Sequence, residues 1–298
     1  MLKPPVFEKR QMTESDRPKT SVVPYLNPEF LKSPDARIIR IIAEYTEPAA
    51  RLRRYRIRDT VVFFGSARSL SPEQAAAQLA RVNESIREAG SITDDLAAAR
   101  SRAENAVKLA RYYEDAMELA RRVTEWSKGL TGNRHFIVCS GGSGGMMEAA
   151  NRGASAAAGK TIGLNIQLPH EQEINPYVSR ELVFNFHYFF MRKFWFVYPA
   201  KALVVFPGGF GTMDELFEIL TLVQTKMPQK AMPIVLFGTE FWDEVLDFDA
   251  FVRWGVLRQE ELDIFYKTDS VDDAFNYITG RLEQLYLTPG GLQEMKLT

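Results

Sequence analysis

Three short apolar runs end in glycine-bearing turns, and these turns hold the residues that could first do chemistry. TVVFF, FIVC and KALVVF are followed by Gly65-Ser66-Ala67-Arg68, by SGGSGG at residues 140–145 and by PGGFG at residues 207–211. Glycine lets the backbone approach an anion closely, and a helix N-terminus attracts negative charge. Because the second and third turns open onto predicted helices, they predict a phosphate-bearing ligand. A tight turn without any ligand would show the same glycines.

Charged residues lie close to the third turn in the sequence. Glu215 follows Pro207 by eight residues, and Arg192 and Lys193 interrupt an aromatic segment just before KALVVF. A glutamate beside a phosphate-binding helix N-terminus would lie close to a bound sugar phosphate. Two simpler interpretations stay open. Thr212 and Glu215 fit the T-x-x-E pattern of a capping box, and Arg192 fits a cationic tip on a buried helix.

The common nucleotide fingerprints do not fit these turns. A G-x-G-x-x-G motif would need glycine at Met147 in the second turn and at Asp214 in the third. Residues 153–161 resemble a P-loop, but five residues separate the glycines where four are required, and the segment precedes a strand. The sequence therefore disfavours a conventional dinucleotide enzyme and a P-loop NTPase.

Strand and helix signals alternate along the chain. This alternation predicts an α/β fold, a Rossmann-like doubly wound parallel sheet with helices on both faces. The three turns would then share the carboxyl edge of the sheet, where ligands bind. Buried strands are predicted at residues 60–64, 136–139, 161–166, 181–186, 201–206 and 233–237, with an edge strand at 264–267.

Helical segments precede and interrupt the predicted sheet. We predict an N-terminal arm and helix over residues 1–58, a Rossmann-like domain over 59–285 and a tail over 286–298. Asn27-Pro28 and Ser33-Pro34 are typical helix starts. A helical insertion over about residues 71–110 begins with a capping signature and is split near Gly90. The basic run RLRRYRIR at 51–58 is interpreted as a solvated helix end, because no other segment repeats it.

Composition narrows the class of protein. The 298 residues include 37 Lys and Arg against 38 Asp and Glu, so we expect no bulk attraction to nucleic acid or to an anionic membrane. Cys139 is the single cysteine, which excludes an internal disulfide. The N-terminus is polar and no stretch is long and apolar enough to span a membrane, so we expect a cytoplasmic protein. Three scattered histidines suggest packing rather than a metal site: His135, His170 and His187.

Four motifs together resemble one family. PGGFGTMDE at residues 207–215 resembles the PGGxGTxxE signature of the LOG ("lonely guy") family of cytokinin-activating phosphoribohydrolases, which are often labelled lysine decarboxylases. Met191-Arg192-Lys193 resembles the end of the family's M-x-x-R-K element, although Tyr188 or Phe189 replaces its first Met. FGSAR at 64–68 and SGGSGGMMEAANRGA at 140–154 resemble two further blocks in family order. The insertion and the long arm resemble the longer, higher-oligomer branch.

The resemblance implies hydrolysis of the N-glycosidic bond of a purine nucleoside 5′-monophosphate, either AMP or N6-prenyl-AMP, with no cofactor or metal. Glu215 would stabilise an oxocarbenium-like sugar and activate water. Arg192 would hold the substrate or the departing base, and Lys193 would support it. A homo-oligomer, a dimer or a trimer of dimers, is also expected. The remaining predicted ligand contacts are Gly208, Gly209, Gly211, Thr212, Gly141, Gly142, Gly144, Ser66, Arg68, Met147, Glu148 and Asn151.

Other functions are compatible with the same fold. A non-catalytic nucleotide or molybdenum-cofactor carrier would need the glycine turns but not the carboxylate, so Glu215 and Arg192 favour the enzyme. An oligomeric scaffold with a vestigial site is disfavoured by the intact PGGFGTMDE motif. A lysine decarboxylase would need a lysine placed to bind pyridoxal phosphate, and no lysine lies in a recognisable setting of that kind.

Overall fold

The computed structural model describes residues 22–131, 134–168, 173–225 and 232–288. The chain divides into two compact units, residues up to Tyr45 and residues from Thr46 onward. This division falls inside the helix Arg37–Arg54 (α2), whereas the sequence suggested a boundary after residue 58.

The first unit consists of short helical segments. The helix Pro28–Lys32 (α1) starts as predicted, because the Asn27 side chain accepts hydrogen bonds from the backbone N–H groups of its first turn. Ser33 does not cap the segment that follows; its hydroxyl donates to the Phe30 carbonyl at 2.7 Å instead. The predicted helix start at Ser33-Pro34 is confirmed in position, because the 3₁₀ turn Pro34–Ala36 leads directly into α2, but the predicted side-chain cap is absent.

The second unit is built on a seven-stranded, all-parallel sheet with the order β4-β3-β2-β1-β5-β6-β7. The chain begins in the middle at β1, moves outward to β4, and then crosses back to β5 beside β1. The switch point of the sheet thus lies between β1 and β5. The strands are β1 Asp59–Phe64, β2 Phe136–Ser140, β3 Thr161–Ile166, β4 Val183–Phe186, β5 Ala200–Val205, β6 Ile234–Phe237 and β7 Tyr266–Thr268.

Helices cover both faces of this sheet, because alternate side chains of each strand point in opposite directions. Val61 and Phe63 join the apolar core that β1 shares with three long helices on one face. Phe64 instead contacts the ring of Phe196 across the other face, with centroids 4.7 Å apart. The predicted fold class is confirmed. The helices are α3 Pro72–Ala89, α4 Asp94–Gly129, α5 Met146–Ala156, α6 Phe189–Val197, α7 Phe210–Gln224, α8 Thr239–Val245, α9 Phe248–Arg253 and α10 Val271–Leu282.

The predicted helical insertion forms a pair of helices, α3 and α4. Ser71 and Gln74 form the capping box that starts α3, and Gly90, with a φ of 66°, ends it. The split near Gly90 is therefore confirmed. α4 then continues for 36 residues without a break, so the insertion and the core helix that follows it are one element. No helix among the described residues has both the length and the apolar character that a membrane crossing requires.

Candidate active site

The three glycine-bearing turns meet at the carboxyl edge of the sheet, because β2, β1 and β5 are neighbours. The Ser66 N–H donates to the Pro207 carbonyl at 2.9 Å, which joins the first turn to the third. The Met146 N–H donates to the Ser66 carbonyl at 3.0 Å, which joins the second turn to the first. A Cβ at Gly145 would lie 2.2 Å from the Ser66 oxygen, so this approach requires glycine.

The third turn leads into α7 through its glycines. Gly209 is the N-cap and supplies no side-chain hydrogen bond, and its carbonyl accepts the Thr212 N–H at 3.0 Å. A Cβ at Gly208 would lie 2.1 Å from the Thr212 hydroxyl, whereas the spaces beside Gly209 and Gly211 are open. This arrangement leaves an accessible helix N-terminus for an anion. α7 begins at Phe210 with Gly209 as its N-cap, so the capping-box interpretation of Thr212 and Glu215 is wrong.

Glu215 is a buried carboxylic acid with an unsatisfied oxygen. Its side chain is 4% exposed, and its Oε2 has no hydrogen-bond partner among the described residues. Burial raises the pKa of the Glu215 carboxyl to about 7, against the opposing charges of Lys193 and Arg192. A carboxyl group with this pKa can both accept and donate a proton near neutral pH. Burial without structural hydrogen bonds is typical of a functional carboxylate rather than a helix cap.

Arg192 contacts the second glycine turn and interacts electrostatically with Glu215. Its Nε donates to the Leu164 carbonyl at 2.8 Å, and its guanidinium lies over the Phe196 ring at 5.0 Å. Burial lowers the pKa of this guanidinium, while the Glu215 carboxylate acts in the opposite direction. A Cβ at Gly141 would fall 2.7 Å from the Arg192 Nη2, so the second turn passes directly against the charge. The sequence-predicted pair and the second turn are thus brought together.

Lys193 forms ion pairs with two carboxylates on α7. Its Nζ lies 2.8 Å from Asp214 Oδ2 and 2.8 Å from Glu218 Oε2. The structure places Lys193 as a tie between α6 and α7, and its expected role as a ligand contact stays a prediction. Its charge lowers the pKa of Glu215.

Asn151 supports the second turn from beneath. It is 0% exposed, its amide nitrogen donates to Thr161 Oγ1 at 2.6 Å, and its oxygen accepts from Ser140 Oγ at 2.7 Å and from Asn175 Nδ2 at 2.9 Å. Ser140 in turn accepts the Gly142 N–H, and the Asn175 N–H donates to the Gly142 carbonyl. Asn151 therefore positions the turn, and its contact with a ligand stays a prediction.

Sequence reasoning did not single out Ser140, Thr161 or Asn175 as parts of this network. Ser140 directly follows a predicted strand, and Thr161 is the first residue of another. A polar residue at the end of an apolar run was therefore a usable signal. Asn175 lies in a connection without any periodic pattern, and nothing in the sequence marks it.

The remaining predicted contacts lie around the first and second turns. The Arg68 N–H donates to Ser66 Oγ at 3.1 Å, and the Arg68 side chain is exposed. Met147 packs against Gly141. Glu148 accepts a hydrogen bond of 3.0 Å from the hydroxyl of Tyr113 on α4. Gly144, the last of them, lies against the Ala67 carbonyl.

Tyr113 is a further residue that the sequence did not indicate. Burial raises the pKa of its hydroxyl to about 12. Tyr113 therefore remains a neutral donor to Glu148 and links the long helix α4 to the start of α5.

The fold and the joined turns define an α/β protein with a candidate anion site and a buried acid at the switch point of its sheet. The family model described as "Possible lysine decarboxylase" matches residues 147–278. A protein of Oryza sativa subsp. japonica named "Probable cytokinin riboside 5′-monophosphate phosphoribohydrolase LOGL5" is 27% identical over 195 residues, which cover 64% of this chain and 73% of the relative. Residues 147–278 are therefore similar to this family model, and the chain is similar to proteins named LOG, the family that the four motifs resemble.

Other relatives match over shorter stretches. "Cytokinin riboside 5′-monophosphate phosphoribohydrolase LOG" of the same organism is 28% identical over 155 residues, covering 51% of this chain and 59% of the relative. The Arabidopsis thaliana protein of the same description, LOG5, is 26% identical over 146 residues, covering 48% and 62%. The chain thus spans about three fifths of the length of these two relatives.

The solved structures that match this chain have lower sequence identity. The molybdenum cofactor binding protein from Rippkaea orientalis is 14% identical, with a TM-score of 0.44 over 76% of this chain and 99% of that chain. The Moco carrier protein from Chlamydomonas reinhardtii is 18% identical, with a TM-score of 0.43 over 76% of this chain and 100% of that chain. Likenesses of this degree say nothing about the ligand of this protein.

Proposed function

We propose that the protein hydrolyses the N-glycosidic bond of a purine nucleoside 5′-monophosphate to the free base and ribose 5-phosphate. The observation that carries this proposal is Glu215, a buried carboxyl group with a pKa raised to about 7, on the helix whose N-terminus follows the third glycine turn. A carrier would need the turns but would gain nothing from an unpaired buried acid, which is costly to ionise.

Phosphate binding would use the N-terminus of α7. The N–H groups of Gly209 and Gly211, and the hydroxyl of Thr212, lie at the end of the helix where the dipole favours a dianion. The open space beside both glycines gives the phosphate room. The second turn, held from beneath by Asn151, would close the other side.

Bond cleavage would use Glu215 and Arg192. As the bond between the anomeric carbon and the base nitrogen breaks, positive charge develops on the sugar, and the Glu215 carboxylate stabilises it. Glu215 then accepts a proton from the attacking water, whose oxygen bonds to the anomeric carbon. The base leaves with the electron pair of the broken bond, and the Arg192 guanidinium stabilises the charge that builds on it. The proton that Glu215 took from water then passes to the base nitrogen, directly or through solvent, which returns Glu215 to the carboxylate.

The names of the relatives support a prenylated substrate. Their descriptions state action on cytokinin riboside 5′-monophosphates, and we extend this to the present protein as part of the proposal. AMP and its N6-prenyl derivative share every atom that the proposed contacts need. We also propose that the protein acts in the cytoplasm and needs no cofactor or metal.

We further propose that the protein is a homo-oligomer. The rings of Phe189, Phe190 and Phe210 are 53%, 51% and 95% exposed, and they lie on α6 and α7, the helices that carry Arg192 and Glu215. Exposed aromatic clusters of this kind are typical of protein–protein contacts. Light scattering on the purified chain measures the oligomeric state, and a monomer at micromolar concentration would contradict this part of the proposal.

The test of the activity is product release. Purified protein is incubated separately with AMP and with isopentenyladenosine monophosphate, and the free base is quantified by chromatography. We expect base release by the wild type and by Glu125→Gln, an isosteric control at an exposed, ion-paired carboxylate on α4. Glu215→Gln should lose activity by about 100-fold or more. Nucleotide binding without base release by the wild type would indicate a carrier instead.

A further inference from the structure

A cavity lies at the edge of the sheet opposite the glycine turns. Its volume is about 870 Å³, and its lining comes from the end of α2, the end of α4, the start of β2 and the turn between α5 and β3. These segments surround the amino ends of β1, β2 and β3. The basic run RLRRYRIR, which the proposed function does not use, supplies one wall. We call this space the basic cavity.

The basic cavity carries charge of one sign. Its lining includes five cationic residues and one histidine and contains no carboxylate: Arg53, Arg56, Arg58, Lys128, Lys160 and His135. This concentration contrasts with the formal charge of −1 on the whole chain. A concave surface lined by charges of one sign focuses its field and raises the local concentration of counter-ions.

Only part of this charge is used by the fold. The Lys128 Nζ donates to the Ala157 carbonyl at 2.7 Å, and the Lys160 Nζ lies 3.3 Å from Glu181 Oε1. Arg53 and Arg56 are exposed, and neither has a carboxylate partner within the described ranges. Two guanidinium groups therefore face the cavity with their hydrogen-bond donors available.

Backbone strain is concentrated at the same place. Among the described residues, the non-glycine residues with positive φ are Arg56, at 57°, and Ala158, at 51°, and both line the basic cavity. Both residues are the C′ residues of Schellman helix ends: the Ile57 N–H donates to the Leu52 carbonyl at 2.9 Å, and the Gly159 N–H donates to the Ala154 carbonyl at 3.0 Å. Glycine is the usual residue at this position, because a Cβ makes left-handed backbone unfavourable. The helix dipole favours cations at helix C-termini, which accounts for Arg53 and Lys128. Arg56 adds a guanidinium group where glycine would be less strained.

We propose that the basic cavity binds a small-molecule polyanion carrying two or more phosphate groups, at a site separate from the candidate active site. Arg53 and Arg56 would bind phosphate oxygens bidentately, as the guanidinium geometry allows. Lys160 would contribute a point charge close to them, because its Nζ lies over the Tyr55 ring at 4.6 Å. The volume suits a ligand the size of a nucleotide.

The test is a calorimetric titration of the full chain with inorganic tripolyphosphate at low salt. The variant Arg53→Gln/Arg56→Gln should bind at least about tenfold more weakly than the wild type. The matched control is Arg81→Gln/Arg102→Gln, which removes the same charge from exposed positions on α3 and α4. Arg102 is about 39 Å from Lys128 along α4, at 1.5 Å per residue. Tripolyphosphate bound at the glycine turns contributes equally to all three proteins, so their difference measures the basic cavity.

A third variant separates ligand binding from folding. Arg56→Gly should relieve the strain and raise the melting temperature while still weakening tripolyphosphate binding. Equal affinities in the wild type and the Arg53/Arg56 variant would overturn the proposal, as would an equal loss in the control. Binding of a deoxythymidine decamer without binding of tripolyphosphate would also overturn it, in favour of a nucleic-acid surface.

Discussion

Glu215→Gln should change the pH dependence of stability in a direction fixed by burial. The carboxyl group has an ordinary pKa of 4.5 in the unfolded chain and a pKa of about 7 in the folded protein. Between these values the folded protein keeps a proton that the unfolded chain has lost. The stabilising effect of that proton is therefore complete below pH 4.5, declines as the pH rises towards 7 and is constant above it.

The magnitude follows from the two pKa values. They differ by about 2.5, and each pH unit corresponds to about 1.4 kcal/mol, so ionising Glu215 in the folded protein costs on the order of 3 kcal/mol. A glutamine cannot ionise. The free energy of unfolding of Glu215→Gln, relative to the wild type, should rise by about 2 to 3 kcal/mol between pH 5 and pH 8. A constant offset from the buried amide does not alter this rise.

The assay is urea denaturation of both proteins at pH 5, 6, 7 and 8, with Glu125→Gln as the control. The control should differ from the wild type by less than about 0.5 kcal/mol at each pH, because Glu125 is 51% exposed. A difference between Glu215→Gln and the wild type that stays constant with pH would refute the burial argument. Parallel loss of base release would show that the residue trades stability for activity.

Three further predictions concern the surroundings of this acid. Lys193→Met should raise the pKa of Glu215, because Lys193 lowers it; the acid limb of the kcat/KM profile, expected near pH 7, should shift upward, and an unshifted limb would contradict the coupling. Gly141→Ala places a methyl group 2.7 Å from the Arg192 Nη2; kcat/KM should fall about tenfold or more, with a circular dichroism spectrum like that of the wild type, and full activity would show that Arg192 can move freely. Asn151→Leu breaks a buried network of hydrogen bonds and should lower the free energy of unfolding, measured by urea denaturation, by about 2 to 4 kcal/mol. A decrease below about 1 kcal/mol would mean that the second turn is stable without the hydrogen bonds of Asn151.

The strands and the turns could be predicted from the sequence because burial on both faces leaves continuous apolar runs. Residues 161–166 coincide with β3, and the other predicted strands differ from the observed ones by one or two residues at one or both ends. Glycine marked the strand ends for a steric reason, as the contact between Gly145 and Ser66 shows.

The start of α7 and the support of the second turn could not be predicted in the same way. The T-x-x-E pattern suggested a cap at Thr212, but the backbone of Gly209 begins the helix, and a capping pattern cannot reveal that. The bonds between Asn175 and the second turn connect residues more than 30 positions apart. Pairing of this range depends on the folded topology and leaves no local signal.

The position of the boundary between the two units could not be predicted from the sequence either. A helix that crosses a unit boundary, as α2 does, shows no change in composition there. Linker-like residues are the usual boundary signal, and Pro48, inside α2, is the residue of that kind near the boundary.

The continuity of α4 constrains how this protein could have gained its insertion. An α-helix turns by about 100° per residue, so adding or removing one residue within α4 would rotate everything before it relative to the core. Changes of about 7 or 11 residues, close to two or three full turns, would keep α3 on the same side. The angular phase of α4 is therefore fixed by Tyr113 in its middle, which must face Glu148. Relatives with a different length in this region should differ in steps of whole turns.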